Sequence, residues 1–296
     1  MKSSGWTCPR ACFRSVSLSM QRHVSRYRVQ LFDVNAFGEL HTAGFLRFMQ
    51  QTASDASAAA GFDVEWYARQ GTIWLIRRTV FECVLPVVYR DEIVVHTWVS
   101  DIRRVRSQRD YELRRARDEQ LVARGWSDWV YIDTLRGKPV RAPDELQRGL
   151  MPGGVTAQPR AAGKPSDPPA TAFRTMRRVE FNAIDSVAHV NNAYYANYLE
   201  QDLWDALAAH GWRLDPLAPR DRPRLRRLDL EYFDAALYGD ELTGLVWGTE
   251  ITADGFCIEQ ALQRGGRRLL HAFSEWQWNE AGERLHAAAA ALAGHT

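Results

Sequence analysis

The sequence predicts an α+β fold in which two helices pack on one continuous antiparallel sheet, built from two tandem copies of a single unit. Three observations lead there. Segments opening at Arg28-Val29 and Arg178-Val179 align without a gap for more than thirty residues, at an offset of 150. In each copy one run with helical spacing precedes several runs rich in Val, Ile, Trp and Tyr. A Pro-, Gly- and Ala-rich stretch separates the copies.

The repeat is dense enough to exclude chance. Ala43 falls on Ala193, Gln51 on Gln201, Gly61 on Gly211, and Phe48 on Tyr198. Further on, Tyr89-x-Asp91-Glu92 matches Tyr238-x-Asp240-Glu241, and Ser127-Asp128-Trp129 matches Ser274-Glu275-Trp276. A duplication of one unit of roughly 120–130 residues follows.

Each unit opens with a short strand, predicted over Arg26 to Phe32 and Arg177 to Asn182. The first helix, predicted over Thr42 to Ala60, places Phe45, Phe48, Met49, Thr52, Ala56 and Ala59 on one face. The second, Asn192 to His210, aligns Tyr195, Tyr198, Leu199, Leu203 and Leu207. Gly61 and Gly211 stand where a C-terminal stop belongs. Four strands complete the first unit: Thr72–Val84, Asp91–Ser100, Gln108–Arg117 and Leu121–Thr134. The second has Leu225–Tyr232, Asp240–Thr252, Gly255–Arg264 and Arg268–Asn279. A lone sheet of this kind leaves an edge strand unpaired, and fusing two copies lets the sheets join edge to edge.

Domain organisation follows. Residues 1–24 precede the fold, 25–150 form the first unit, 151–172 the linker, 173–280 the second unit and 281–296 a tail read as a frayed helix or disordered. Residues 1–29 carry no Asp or Glu, and Met20 is an alternative start. Disorder or an alternative start is the favoured reading there, and an organelle-type leader is the other.

Net charge of +2 argues against bulk nucleic-acid binding, and no stacking or groove-reading motif accompanies the basic residues. No stretch approaches the roughly 18 continuous apolar residues of a membrane span. Cys8, Cys12, Cys83 and Cys257 lack metal-ligand spacing and read as reduced thiols, which suggests a cytoplasmic protein. No nucleotide-binding glycine turn or Cys/His cluster is present, so neither metal nor organic cofactor is expected.

The chemistry concentrates between Phe181 and Gln201. Asp185 and His189 stand four residues apart, Asn191 and Asn192 follow, and a helix starts at once. A helix N-terminus offers unbonded N–H groups and a partial positive charge, suited to a carboxylate or a developing oxyanion. The plainer reading is an Asn cap with a structural His. In the first unit the aligned residues are Asn35, Glu39, His41 and Thr42, so only the second copy carries the acid–imidazole–amide set.

The chain resembles the double-hotdog acyl-ACP thioesterases of bacteria and plants. In the first unit the resemblance rests on Gln50-Gln51-Thr52-Ala53 with Ala60-Gly61, and on Ile73 through Arg78. In the second it rests on Asp185-x-x-x-His189-Val190-Asn191-Asn192-x-x-Tyr195 and on Leu230-Glu231-Tyr232. The motif also occurs in single-hotdog acyl-CoA thioesterases. The sequence departs from the plant pattern at Val187, where Asn is usual, and at Phe233-Asp234-Ala235-Ala236, where a Glu-Cys pair is usual. A Cys-centred mechanism therefore has no residue to run on.

The resemblance implies thioester hydrolysis, with acyl carrier protein or coenzyme A as the carrier; a non-catalytic acyl-binding protein is the other reading. Asp185 would be the general base or, as a second choice, the nucleophile, with His189 orienting the water or bonding to the carboxylate. Asn191 and Asn192 would fix the loop and cap the helix, and backbone N–H groups at Asn191 to Ala193 would face the thioester carbonyl. Asp234 is a further nearby carboxylate. Phe45, Phe48, Met49, Trp74, Ile76 and Tyr195 would bind the acyl chain in an unfilled part of the core. Arg224, Arg226 and Arg227, within the run from Arg220, would dock an acidic carrier or its phosphates; a solvated face is the plain alternative for them and for the run from Arg103 to Arg109. Oligomeric state is left open, a homodimer included.

Overall fold

In the computed structural model the described residues are 22–150, 165–215, 222–279 and 282–294. Residues 1–21, most of the linker, and Arg220 lie outside them, so the readings of the N-terminal segment and of Arg220 are not addressed below.

The first unit runs through β1 (His23–Arg28), α1 (Thr42–Ala59), α2 (Val64–Gln70), β2 (Thr72–Cys83), β3 (Glu92–Arg103), β4 (Arg106–Arg115), β5 (Leu121–Asp133), the two-residue β6 (Lys138–Pro139) and α3 (Asp144–Gly149). The second runs through β7 (Phe173–Arg178), α4 (Tyr195–Ala209), β8 (Arg222–Tyr232), β9 (Glu241–Ile251), β10 (Gly255–Arg264), β11 (Arg267–Asn279) and α5 (Glu283–Leu292). All the strands form one antiparallel sheet in the order β1-β3-β4-β5-β2-β8-β11-β10-β9-β7, with β6 beside β5. The double-hotdog architecture expected from the repeat is the one observed.

The units join through β2 and β8, in register from Arg78 opposite Glu231 to Glu82 opposite Arg227. Each strand would be an exposed edge alone, and pairing satisfies both rows of backbone groups. Loop hydrogen bonds repeat across the chain. Leu40 N bonds to Val87 O at 2.8 Å, and Val190 N to Ala236 O at 2.9 Å. His41 N bonds to Asp33 O, and Asn191 N to Ala183 O, both at 2.9 Å.

Both helices bury the faces expected, with one difference. On α1, Phe45, Phe48, Met49, Thr52 and Ala53 are buried, but Ala56 is only partly covered and Ala59 is exposed. On α4 the buried stripe runs on through Leu203, Ala206 and Leu207. The reason is α5, which lays Leu285, Ala288, Ala289 and Leu292 against that end of α4. The tail is thus a packed amphipathic helix with no counterpart on α1. Burying each such Leu or Phe stabilises by about 1.5–3 kcal/mol.

Several bounds differ from expectation. The opening strands lie earlier, and the segments Leu31–Asp33 and Phe181–Ala183 form single 3-10 turns in place of strand ends. Helix α4 starts at Tyr195, not Asn192, because Asn192 to Tyr194 form a turn first. The short helices α2 and α3 were not anticipated. Gly61 and Gly211 do adopt positive φ, +91° and +98°, as helix stops.

Candidate active site

The loop from Asp185 to Asn191 is closed on itself by short-range bonds. Asp185 N donates to His189 O at 3.0 Å, and Ala188 N to Asp185 O at 3.0 Å. Ala188 sits at φ +64°, a left-handed conformation that costs a non-glycine residue about 1–2 kcal/mol. Its counterpart in the first unit is Gly38, at φ +76°.

This loop holds the Asp185 carboxylate from two sides. Oδ1 accepts from Val187 N at 3.0 Å, and Oδ2 accepts from the Asn191 amide at 3.3 Å. The Asn191 carbonyl accepts in turn from Ala193 N at 2.9 Å. Asn191 therefore ties the carboxylate to the entrance of α4. His189 Nδ1 lies 3.9 Å from Asp185 Oδ1, beyond hydrogen-bond reach, and 3.2 Å from the Val190 carbonyl. The expected His189–carboxylate bond is not made. In the neutral imidazole, donation from Nδ1–H to Val190 O leaves Nε2 as the acceptor. The Asp185 and His189 side chains are about one-fifth exposed, at 22% and 19%, so water reaches both.

The expected row of N–H donors at 191–193 is also smaller. Asn191 N bonds to Ala183 O, and Ala193 N to the Asn191 side chain. Among the described residues none accepts from Asn192 N, which leaves that group as the candidate oxyanion donor. Behind it stands a tyrosine pair. Tyr232 donates to Asn192 O at 3.0 Å, and Tyr195 Oη accepts from Ala236 N at 2.9 Å. Burial raises both phenols, Tyr195 to about 12, so they stay protonated. Tyr232 was not singled out as a site residue. Its side-chain bond to a residue 40 positions away has no local sequence signal. Asp234 turns from the site to Arg267, at 3.1 Å, and Arg264, at 3.5 Å.

The six residues proposed for the acyl chain do not share one wall. Met49 and Ile76 line a cleft of about 10 Å³ with Leu46, Gln50 and Tyr232, whose hydroxyl reaches Asn192. Phe45 lines a different cavity, at the first unit's loop. Phe48 stacks on Tyr27 at 4.6 Å, and Trp74 packs on Tyr131 at 4.9 Å, away from both. Tyr195 is buried at the start of α4. The three arginines also separate. Arg224 bonds to Glu39 at 3.1 Å, Arg226 reaches Gln277 at 3.2 Å from an exposed position, and Arg227 lies 3.7 Å from Glu82.

Two cysteines fall among the described residues. Burial pushes the Cys83 thiol up to about 12 and that of Cys257 up to about 11, so neither supplies a thiolate. No group of three His, Cys, Asp or Glu side chains among the described residues is placed to hold a metal ion. No described helix is long and apolar enough to cross a membrane.

The chain is similar to known acyl-ACP thioesterases. Residues 20–150 match the family model of the acyl-ACP thioesterase N-terminal domain. The palmitoyl-acyl carrier protein thioesterase of Arabidopsis thaliana chloroplasts is 22% identical over 271 residues, which is 84% of this chain and 62% of that protein. The chain spans about half the length of other curated plant relatives. A provisionally assigned oleoyl thioesterase of Lactobacillus plantarum superposes with a TM-score of 0.78 at 18% identity, over 89% of this chain and 98% of the other. The 12:0-ACP thioesterase of Umbellularia californica gives 0.71 at 18% identity, over 86% and 94%.

Proposed function

We propose that this chain, whose first unit matches the acyl-ACP thioesterase N-terminal domain and whose fold is theirs, hydrolyses a fatty acyl thioester at the mouth of α4. The observation that carries the reading is the Asp185 carboxylate. It is held by Val187 N–H and the Asn191 amide, stays partly exposed, and lies 3.9 Å from His189 Nδ1. Its partner Asn191 directly precedes Asn192, whose N–H has no acceptor among the described residues. Each bonded carboxylate oxygen keeps a second lone pair to accept a proton.

The reaction follows from these positions. Asp185 takes a proton from water as that water attacks the thioester carbonyl. Asn192 N–H stabilises the oxyanion; removing one such donor in other enzymes costs roughly 100- to 1,000-fold in rate. The C–S bond then breaks and the thiolate receives the proton, giving a fatty acid and a free thiol. His189, with Nε2 as acceptor, orients the water or relays that proton. The acyl chain enters the first unit along Met49 and Ile76, and the cleft there must widen to receive it.

An acyl carrier protein is the favoured carrier, because the curated relatives carry that substrate in their names. The test is a hydrolysis assay on acyl chains of one length presented on carrier protein and on coenzyme A. Faster turnover of the carrier-protein form supports the reading. Faster turnover of the coenzyme form reassigns the carrier. No turnover of either, with acyl binding retained, makes the chain a binding protein.

A further inference from the structure

The first unit's counterpart of the Asp185 loop lies over a cavity that this chemistry does not use. The inner part, of about 60 Å³, has Asn35, Glu39, Thr42, Glu200, Arg222 and Arg224 as its polar lining and includes Phe37, Phe45 and Trp276 in the rest. A wider groove of about 460 Å³ continues past Trp204 towards Trp212 and Leu214. Asn35, Phe37, Glu200 and Trp204 line both parts. None of Asp185, His189, Asn191 and Asn192 lines either.

We propose that this joined cavity is a second ligand site for a long-chain carboxylate, the head beside Arg224 in the inner part and the chain along Trp204 and Trp212. Three features carry it. Arg224 gives one terminal N–H to Glu39, while its Nε is buried with no hydrogen-bond partner among the described residues. A buried donor without an acceptor is unfavourable, and Arg224, whose side chain is one-third exposed, can turn its guanidinium to meet a carboxylate in the forked geometry it prefers. The inner part has room for about two waters, which is the size of a carboxyl head and not of a thioester with its carrier arm. The surface of the outer groove is mainly apolar, from Phe37, Trp204, Ala208, Trp212 and Leu214, which suits an alkyl chain, although Glu200 and Asp205 also line it.

The ligand would be held, not hydrolysed. At this loop the Glu200 carboxylate already accepts from Thr42 N at 3.3 Å and contacts His41 Nδ1 at 3.1 Å. It fills the helix mouth where an oxyanion would develop. Its repeat counterpart is the neutral Gln50. The site is therefore independent of hydrolysis at Asp185, and either proposal can fail without the other.

The test is isothermal titration of the full chain carrying Asp185→Asn with octanoate, decanoate and laurate below their micelle concentrations. A saturable site should tighten about tenfold for each two-carbon step. Arg224→Gln should weaken laurate at least tenfold, Arg224→Lys less, and Trp204→Ala should flatten the chain-length dependence. Quenching of tryptophan fluorescence by a brominated laurate should fall in Trp204→Phe, which preserves the aromatic packing. Equal affinity for laurate and dodecyltrimethylammonium overturns the proposal. So does laurate affinity unchanged in folded Arg224→Gln and Trp204→Ala proteins, or absence of saturable binding.

Discussion

Arg78 and Asp229 meet as a two-pronged ion pair on the seam between the units, Nε to Oδ1 at 2.7 Å and a terminal nitrogen to Oδ2 at 2.6 Å. Strand pairing extends equally either side of Val80 opposite Asp229, so this pair sits on the pseudo-twofold axis. The repeat places Val80 where the other copy has Asp229, so the pair exists once and breaks the symmetry. Both residues are buried.

A buried pair of this kind gives little net stability, but removing one partner strands a charge. Asp229→Ala should destabilise by about 3–5 kcal/mol. The double variant Arg78→Leu with Asp229→Leu should lie near the wild type. Urea unfolding of the three proteins checks this, and a loss under about 1 kcal/mol for the single variant would mean that water already solvates Arg78.

Met49 belongs to the buried cluster that also holds Tyr195 and Tyr232. It is 3% exposed and lines the small cleft that Tyr232 closes. Met49→Ala should cost about 2–5 kcal/mol and deepen the cleft. The fatty acids released from a mixture of acyl substrates should then shift to longer chains. An unchanged chain-length profile would put the acyl chain elsewhere.

The fold was legible because the repeat preserves what folding needs locally: an apolar helix face, a glycine stop, and turn residues between β-rich runs. The bounds were less so. Asn192 reads as the start of a helix, yet the Asn191 side chain takes Ala193 N and delays α4 to Tyr195. Helix α2 was missed although Asp63 caps it through Trp66 N at 2.7 Å, because seven residues give too little periodicity. The Asp185 loop was legible since its partners lie within six residues. The second cavity was not. Glu39 meets Arg222 across 183 positions and His41 meets Glu200 across 159, contacts that only the docking of the two units creates.

The His41–Glu200 contact makes stability depend on pH. The hydrogen bond to Glu200 raises the His41 pKa, outweighing the opposing effect of burial. A raised histidine stabilises the fold fully below its ordinary value of about 6.5, and that contribution is lost as pH rises through the raised value. His41→Asn copies the residue at the equivalent position of the second unit. The variant should therefore melt below the wild type at pH 6, with the gap closing by pH 9. A gap of constant size across that range would assign the contact a packing role alone.

Asp185, Asn191 and His189 should fail in different ways. Asp185→Asn keeps an oxygen for Val187 N but has no base, so hydrolysis should fall by at least about 100-fold with the melting temperature nearly unchanged. His189→Ala should lower turnover strongly and not completely, because it makes no bond to the carboxylate. Asn191→Ala removes both the amide on Oδ2 and the acceptor for Ala193 N. It should lower kcat by about tenfold or more and also cost about 0.5–2 kcal/mol of stability, as loss of a helix cap does. Wild-type turnover in folded Asp185→Asn protein, on a substrate the native chain cleaves, would show that the base lies elsewhere.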